Sequence, residues 1–310
     1  MGDADRARHR ADSIGPTLRG LWGFPLTPFT AGGVNVDLLA KQALFQLDGG
    51  VDVLCACGSI AQGDQLSPGE RLECLNSVVS VAAARVPVVL AVPVDEAAVA
   101  SVVAAGRAGA TAVLLLPGSE RVAELARLLA ELACSAPDVP VVLYHRPPLL
   151  LRPPELTELA ATSGLAGVKD GYRDVRLCRR LRGAVGGEQL LWLSSWEDVA
   201  LPFFALGFDG FAPASAAYAP AYARSWYERL AAGDLAAADR LLAAHAYPMA
   251  DLRTSRPGIE ISVVKAAMEM CGLDGGETRP PALPLTTEER DQVRALTASL
   301  AELLDGRCGR

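Results

Sequence analysis

Only three lysines, Lys41, Lys169 and Lys265, occur in a 310-residue chain whose other basic side chains are all arginines. A guanidinium stays charged, whereas a partly desolvated lysine ammonium can release its proton and attack a carbonyl to form a Schiff base. Lys169 is placed for that chemistry, near the end of the run Leu165-Ala166-Gly167-Val168-Lys169-Asp170-Gly171. Strand alternation puts Leu165, Gly167 and Lys169 on one face and Ala166 and Val168 on the other, with Gly167 leaving space beneath the amine. The plain alternative is a lysine stem that snorkels from a strand end into solvent. Tyr144 closes another apolar run, and its phenol suits general acid and base work, although a tyrosine also suits the rim of a core. A nucleophile and a proton carrier on neighbouring strand ends, roughly 5 Å apart, would open onto one cavity.

Positioning such a pair requires adjacent parallel strands, and the chain repeats the unit that supplies them. Apolar runs at 20–24, 51–57, 86–92, 111–116, 139–144, 165–169, 190–193 and 210–213 read as eight strands, each followed by a helix. The clearest helices span 36–47, 96–108, 121–133 and 197–206; others open at the capping box Ser67 to Glu70 and at Pro153-Pro154-Glu155. The strands are continuously apolar, as expected when helices cover a parallel sheet on both faces. Eight such units, with no Gly-x-Gly-x-x-Gly after the first strand, predict an α/β fold, a closed (β/α)8 TIM barrel. The expected layout is a loose tail over 1–19, the barrel over 20–232 and a C-terminal helical extension over 233–310. Its three helices are expected at 235–252, 259–270 and 288–304, the last opened by the capping box Thr286 to Glu289.

Such a barrel carries its active site at the carboxyl ends of the strands. The polar residues there are Thr27, Ser59, Tyr144, Arg146, Lys169, Asp170, Ser194, Ser195 and Ser215. A net charge of −7 argues against nucleic acid or anionic membrane as a main partner, and no run of about twenty apolar residues suggests a membrane span. Seven scattered cysteines fit a reduced, cytoplasmic protein, with Cys55 and Cys57 sharing one core face of a strand. His9, His145 and His245 form no metal-binding motif; His145 points away from Tyr144 and suits a structural role. Schiff-base chemistry requires no cofactor.

From Leu21 to Leu304 the chain resembles the dihydrodipicolinate synthase and N-acetylneuraminate lyase superfamily of Schiff-base-forming barrels. The resemblance rests on Gly23-Phe24-Pro25-Leu26-Thr27-Pro28-Phe29, Tyr144-His145-Arg146-Pro147, Gly167-Val168-Lys169-Asp170-Gly171 and Leu206-Gly207-Phe208-Asp209-Gly210. Within it the chain is most similar to 5-dehydro-4-deoxyglucarate dehydratases, which carry Tyr-Asn-Arg and Lys-Asp-Gly motifs where this chain has Tyr144-His145-Arg146 and Lys169-Asp170-Gly171, and in the stretches Asp251 to Arg256, Ile261 to Lys265 and Arg279-Pro280-Pro281. The resemblance implies that Lys169 is the Schiff-base lysine and Tyr144 the proton relay. It implies a small 2-oxo acid or sugar acid as substrate, and a homo-oligomer, tetramer or dimer.

One loop departs from the superfamily pattern. Where the relatives bind the substrate carboxylate with Gly-Thr-Thr-Gly-Glu or Gly-Gly-Thr-Gly-Glu, this chain has Gly58-Ser59-Ile60-Ala61-Gln62. Isoleucine cannot hydrogen-bond a carboxylate, and the terminal acid has become an amide. The substrate-binding residues expected from this reading are Gly58, Ser59, Ile60, Arg146, Ser195 and Ser215, with Arg146 either recognising a carboxylate or serving as a loop arginine in an ion pair. Three functions stay open: a decarboxylating dehydratase of the 5-dehydro-4-deoxyglucarate type, a pyruvate-dependent class I aldolase or lyase, and a noncatalytic binder of 2-oxo acids or partner protein.

Overall fold

The computed structural model describes residues 15–162, 164–186, 190–300 and 303; part of the expected tail and the end of the last expected helix lie outside them. Eight strands form a closed ring: β1 (Gly20–Gly23), β2 (Val53–Ala56), β3 (Val88–Pro93), β4 (Ala112–Leu116), β5 (Val141–His145), β6 (Leu165–Asp170), β7 (Leu191–Ser194) and β8 (Gly210–Phe211). Every neighbouring pair is parallel, and β8 closes onto β1 through Gly210 and Gly20. The fold is therefore the (β/α)8 barrel, with β2 and β6 opposite one another across the ring.

The continuous apolar strands follow from burial on both faces. Inside the ring pack Trp22, Val53, Val89, Leu114, Val142 and Leu193, and Leu18 from a short 3-10 turn plugs the end beneath them. The Trp22 indole donates to the Leu18 carbonyl at 2.7 Å, which satisfies its N–H inside an otherwise apolar plug. The alternate strand residues, such as Leu54, Leu90, Leu115, Leu143 and Trp192, face the helices α1 (Val36–Asp48), α2 (Pro68–Ala82), α3 (Ala98–Arg107), α4 (Val122–Ser135), α5 (Pro153–Ala160), α6 (Val175–Ala184), α7 (Ala200–Ala205) and α8 (Pro220–Ala231). Both expected capping boxes form, Ser67 with Glu70 and Thr286 with Glu289, each satisfying two amides that a helix start leaves without partners.

Two expectations about strand faces are overturned, for local reasons. Strict alternation in β6 fails because Val141 pairs with Leu165 but Val142 with Gly167, so Ala166 is an extra residue in a bulge. Leu165 consequently faces the helices and Ala166 the ring interior. Gly167 leaves no empty space: a β-carbon there would lie 2.7 Å from both Cβ and the carbonyl oxygen of Leu191, so glycine is what lets β7 approach. Cys55 and Cys57 do not share a face either. Cys55 lies inside the ring, whereas a left-handed backbone at Cys57 (φ 60°) turns its thiol outward towards Arg71 and Cys74.

The region expected as 197–206 is a 3-10 turn, Glu197–Val199, followed by α7. Beyond the barrel, the expected helix at 235–252 is α9 (Leu235–Leu241) and α10 (Tyr247–Thr254) joined by one π turn, Leu242–Ala246. The next two are α11 (Glu260–Met270) and α12 (Thr287–Ala298). These helices reach the strand-end side of the ring: α10 packs on the turn after β7, and α11 on the turns Ala214–Ala217 and Ser59–Ala61. No helix among the described residues is long and apolar enough to cross a membrane.

Candidate active site

At the carboxyl ends of the strands lies a recess partly open to solvent, and both Lys169 and Tyr144 line it. The two are direct partners in register between β5 and β6, so their side chains leave adjacent strands at one level. The Lys169 nitrogen sits 4.2 Å from the centre of the Tyr144 ring and 4.4 Å from that of Phe24, and the residue is only 5% exposed. This excludes the snorkelling alternative. The other two lysines do not compete for the recess. Lys41 is an exposed residue of α1. Burial draws Lys265 down to about 8, but its amine donates to the backbone carbonyls of Thr27 and Glu277, and it does not line the recess.

Neighbouring groups hold the pair in place. Gly171 lies against the phenol: a β-carbon at 171 would come 2.9 Å from a Tyr144 ring carbon and 3.2 Å from its hydroxyl oxygen. The glycine of the Lys-Asp-Gly motif thus serves clearance, not a special backbone angle. Asp170 accepts the Arg173 amide at 3.0 Å, while its backbone carbonyl accepts from the Ser195 hydroxyl and amide, tying the end of β6 to the loop after β7. His145 is fully buried; its Nε2 accepts the Leu151 amide at 3.1 Å, which puts the ring proton on Nδ1, 3.6 Å from the Asp170 carboxylate. Cys55, beneath the amine inside the ring, is pushed up to about 12 by burial and stays a thiol.

The structure divides the expected substrate-binding residues. Ser59, Ile60 and Ser195 line the recess with Lys169 and Tyr144. Ser59 follows β2 and so faces Lys169 from across the ring; its hydroxyl oxygen is buried without a hydrogen-bond partner among the described residues. Gly58, Arg146 and Ser215 do not line it. Gly58 packs on the Phe24 ring, where a β-carbon would lie 2.4 Å from a ring atom. Arg146 pairs with Asp64 at 3.3 Å, the loop ion pair that was its alternative reading, with its guanidinium 5.4 Å from the centre of the Tyr144 ring. Ser215 is fully buried and its hydroxyl donates to Glu197. The amide that replaces the loop's terminal acid also lies elsewhere: Gln62 donates to the Arg279 carbonyl at 2.6 Å and accepts the Arg279 amide at 3.1 Å, two bonds that a carboxylate could not make together.

Two charged residues were not singled out from the sequence. Arg253 on α10 lines the recess and is 7% exposed. Glu197, in the turn after β7, is 1% exposed, and burial pushes its carboxyl up to about 7 against the opposing effects of the Ser215 hydroxyl and the nearby Arg253 charge. The folded state therefore binds a proton at Glu197 that the unfolded chain, at about 4.5, has released. The sign follows: the contribution of this group to stability is full below the unfolded value and falls as pH rises towards and through 7, by up to about 3 kcal/mol. Glu197→Gln, which can still accept from Ser215, is expected to flatten that slope. Urea unfolding of both proteins at pH 5 and pH 8 measures it, and equal slopes would show that another group titrates.

The residues 17–300 match the family model for the dihydrodipicolinate synthetase family. The chain is 32% identical over 273 residues to "Probable 5-dehydro-4-deoxyglucarate dehydratase 1" of Streptomyces coelicolor, covering 83% of this chain and 85% of that one. It is also 32% identical over 293 residues to the protein of the same name from Streptomyces avermitilis, covering 91% of each. Among solved structures, dihydrodipicolinate synthase from Bacillus clausii superposes with a TM-score of 0.85 at 26% identity, over 93% of this chain and 99% of that one. A prophage protein of the dihydrodipicolinic acid synthase family from E. coli K12, solved in complex with pyruvate, superposes with a TM-score of 0.82 at 26% identity, over 92% and 99%. With this barrel, these motifs and a match along nearly the whole described length, the chain belongs to the dihydrodipicolinate synthetase family of enzymes.

Proposed function

We propose that this lyase forms a Schiff base between Lys169 and the ketone of a 2-oxo acid and dehydrates it, with a 5-dehydro-4-deoxyglucarate-like sugar diacid as substrate. The observation that carries the reading is the buried amine of Lys169 against the Tyr144 ring in a recess that the other two lysines do not reach. The neutral amine adds to the ketone carbon, and the carbinol oxygen leaves as water once protonated, leaving an iminium. That electron sink lets the neighbouring carbon give up a proton to form an enamine. The enamine then expels the hydroxyl on the next carbon as a second water, and hydrolysis of the resulting iminium returns the amine. The Tyr144 phenol carries protons to and from the departing oxygens and the enamine carbon. In the decarboxylating form the conjugated iminium also accepts the electron pair of a departing carboxylate as CO2. The dehydratase names of the sequence relatives support this choice.

A pyruvate-dependent aldolase is the second reading, favoured by the likeness to the family member solved with pyruvate. Both readings share the first step. Incubation with 5-dehydro-4-deoxyglucarate or pyruvate, followed by borohydride, is expected to add the reduced acid's mass to the peptide carrying Lys169. Steady-state release of water and CO2 from the sugar diacid alone identifies the dehydratase, whereas consumption of pyruvate only when an aldehyde is added identifies the aldolase. No adduct with either acid would overturn both readings in favour of a noncatalytic role. A homo-oligomer, dimer or tetramer, belongs to the same proposal, and sedimentation of the purified chain tests it.

A further inference from the structure

Arg253 is a buried cation for which the fold supplies no counter-ion at contact distance. It is 7% exposed and lines the recess, and among the described residues none gives it a hydrogen bond or a carboxylate within 4 Å; its Nε is buried and unpartnered. Its guanidinium faces the Trp196 ring at 4.8 Å from the ring centre. The other arginine on that ring, Arg173, stands 4.0 Å from the centre and is neutralised by Asp198 at 3.0 Å. Burying a charge without a partner is strongly unfavourable, and a planar guanidinium is a fork built for a carboxylate. The nearby Glu197 does not provide one, since its buried carboxyl is occupied by Ser215 and pushed towards its neutral form.

The position of Arg253 indicates which end of a ligand it would meet. Ser59, the unpartnered hydroxyl of the loop after β2, faces Lys169 across the ring, whereas Arg253 enters beside the loop after β7, three strands round from β2. A ligand anchored at Lys169 therefore finds donors in two separate sectors, one neutral and one cationic. We infer that Arg253 receives a second carboxylate of the substrate, remote from the ketone that meets Lys169, and makes the enzyme select dicarboxylic 2-oxo acids over monocarboxylic ones. This rests on the Schiff-base reading for the identity of the anchored end, but not for the binding of the remote carboxylate.

Two six-carbon probes that differ only at the far end test it: 2-oxoadipate, with a distal carboxylate, and 2-oxohexanoate, with a methyl group there. Half-saturation of borohydride-trapped adduct is expected at a concentration at least about 30-fold lower for 2-oxoadipate in the unaltered enzyme, the loss usual when one partner of a buried charge pair is missing. Arg253→Gln is expected to remove that preference by weakening 2-oxoadipate alone, and Arg253→Lys, which keeps the charge without the fork, to keep part of it. Equal weakening of both acids, or a preference that survives in Arg253→Gln, overturns the assignment. Adipate has no ketone, so it separates this inference from the Schiff-base reading. It should raise the unfolding temperature of the unaltered enzyme more than hexanoate does, and Arg253→Gln should abolish the difference. If no adduct forms with either keto acid but that difference appears, only the Schiff-base reading fails; if adipate and hexanoate act alike on the unaltered enzyme, the assignment to Arg253 fails.

Discussion

A Lys169→Met enzyme is expected to fold with an unfolding midpoint close to that of the unaltered protein and to lose turnover by at least about 10⁴-fold, the scale on which removal of a covalent nucleophile acts. Methionine is nearly as long as the lysine stem and remains apolar between Phe24 and Tyr144, so the change removes the amine without opening a large cavity. Among the described residues no hydrogen-bond acceptor or carboxylate partners that amine, so no newly orphaned group is expected; the buried Cys55 is a thiol already. Turnover, intact mass after borohydride and a urea titration give the three readouts. Retention of the adduct in Lys169→Met would move the chemistry to another amine. Lys265 is the one to suspect on burial, although its two carbonyl contacts argue against it.

Tyr144→Phe is expected to lower kcat by 10²- to 10⁴-fold, on the order found for a positioned proton carrier, while leaving the trapped adduct with Lys169 attainable at long times. The ring is 9% exposed, and its contacts with the Lys169 nitrogen and with Gly171 come mostly from its carbon face, so phenylalanine keeps the packing and loses only the hydroxyl. A time course of adduct formation beside steady-state turnover separates slow proton transfer from failed binding. Should KM rise by the whole factor while kcat stays unchanged, the phenol would be a substrate contact and not a proton carrier.

The placement of Lys169 and Tyr144 side by side in one recess is legible because a strand end exposes its last side chain to the barrel mouth, and eight apolar runs of similar spacing fix which ends are neighbours. The composition pointed the same way, through one lysine kept at a strand end in an arginine-rich chain. What stayed hidden depends on contacts between segments far apart in sequence. Arg146 follows Tyr144 closely and looked like a carboxylate ligand, but Asp64 from the loop after β2 takes it, and no local pattern announces that pairing. Arg253 stands in the sequence only as one residue of the stretch Asp251 to Arg256. The sequence does hold a signal for it, since it lies on the same helix as the buried Met249, Ala250 and Leu252, where an arginine without a purpose is costly. The bulge at Ala166 could not be read from β6 alone, because the extra residue exists only relative to β5. Gln62 is a similar case: the sequence shows an amide where the relatives' loop has an acid, and only the fold brings it to the backbone of Arg279, which it clasps through two hydrogen bonds.

The π turn at Leu242–Ala246 sets the rotational phase of everything that follows it in the same rod. Each residue in an α-helix advances by about 100°, and a π turn takes up one residue more than an α turn would, so it offsets by roughly a quarter of a revolution which sequence positions share a face on its two sides. Straightening that turn to plain α geometry without removing a residue would therefore swing the guanidinium at 253 off its present face while leaving Lys169 and Tyr144 untouched.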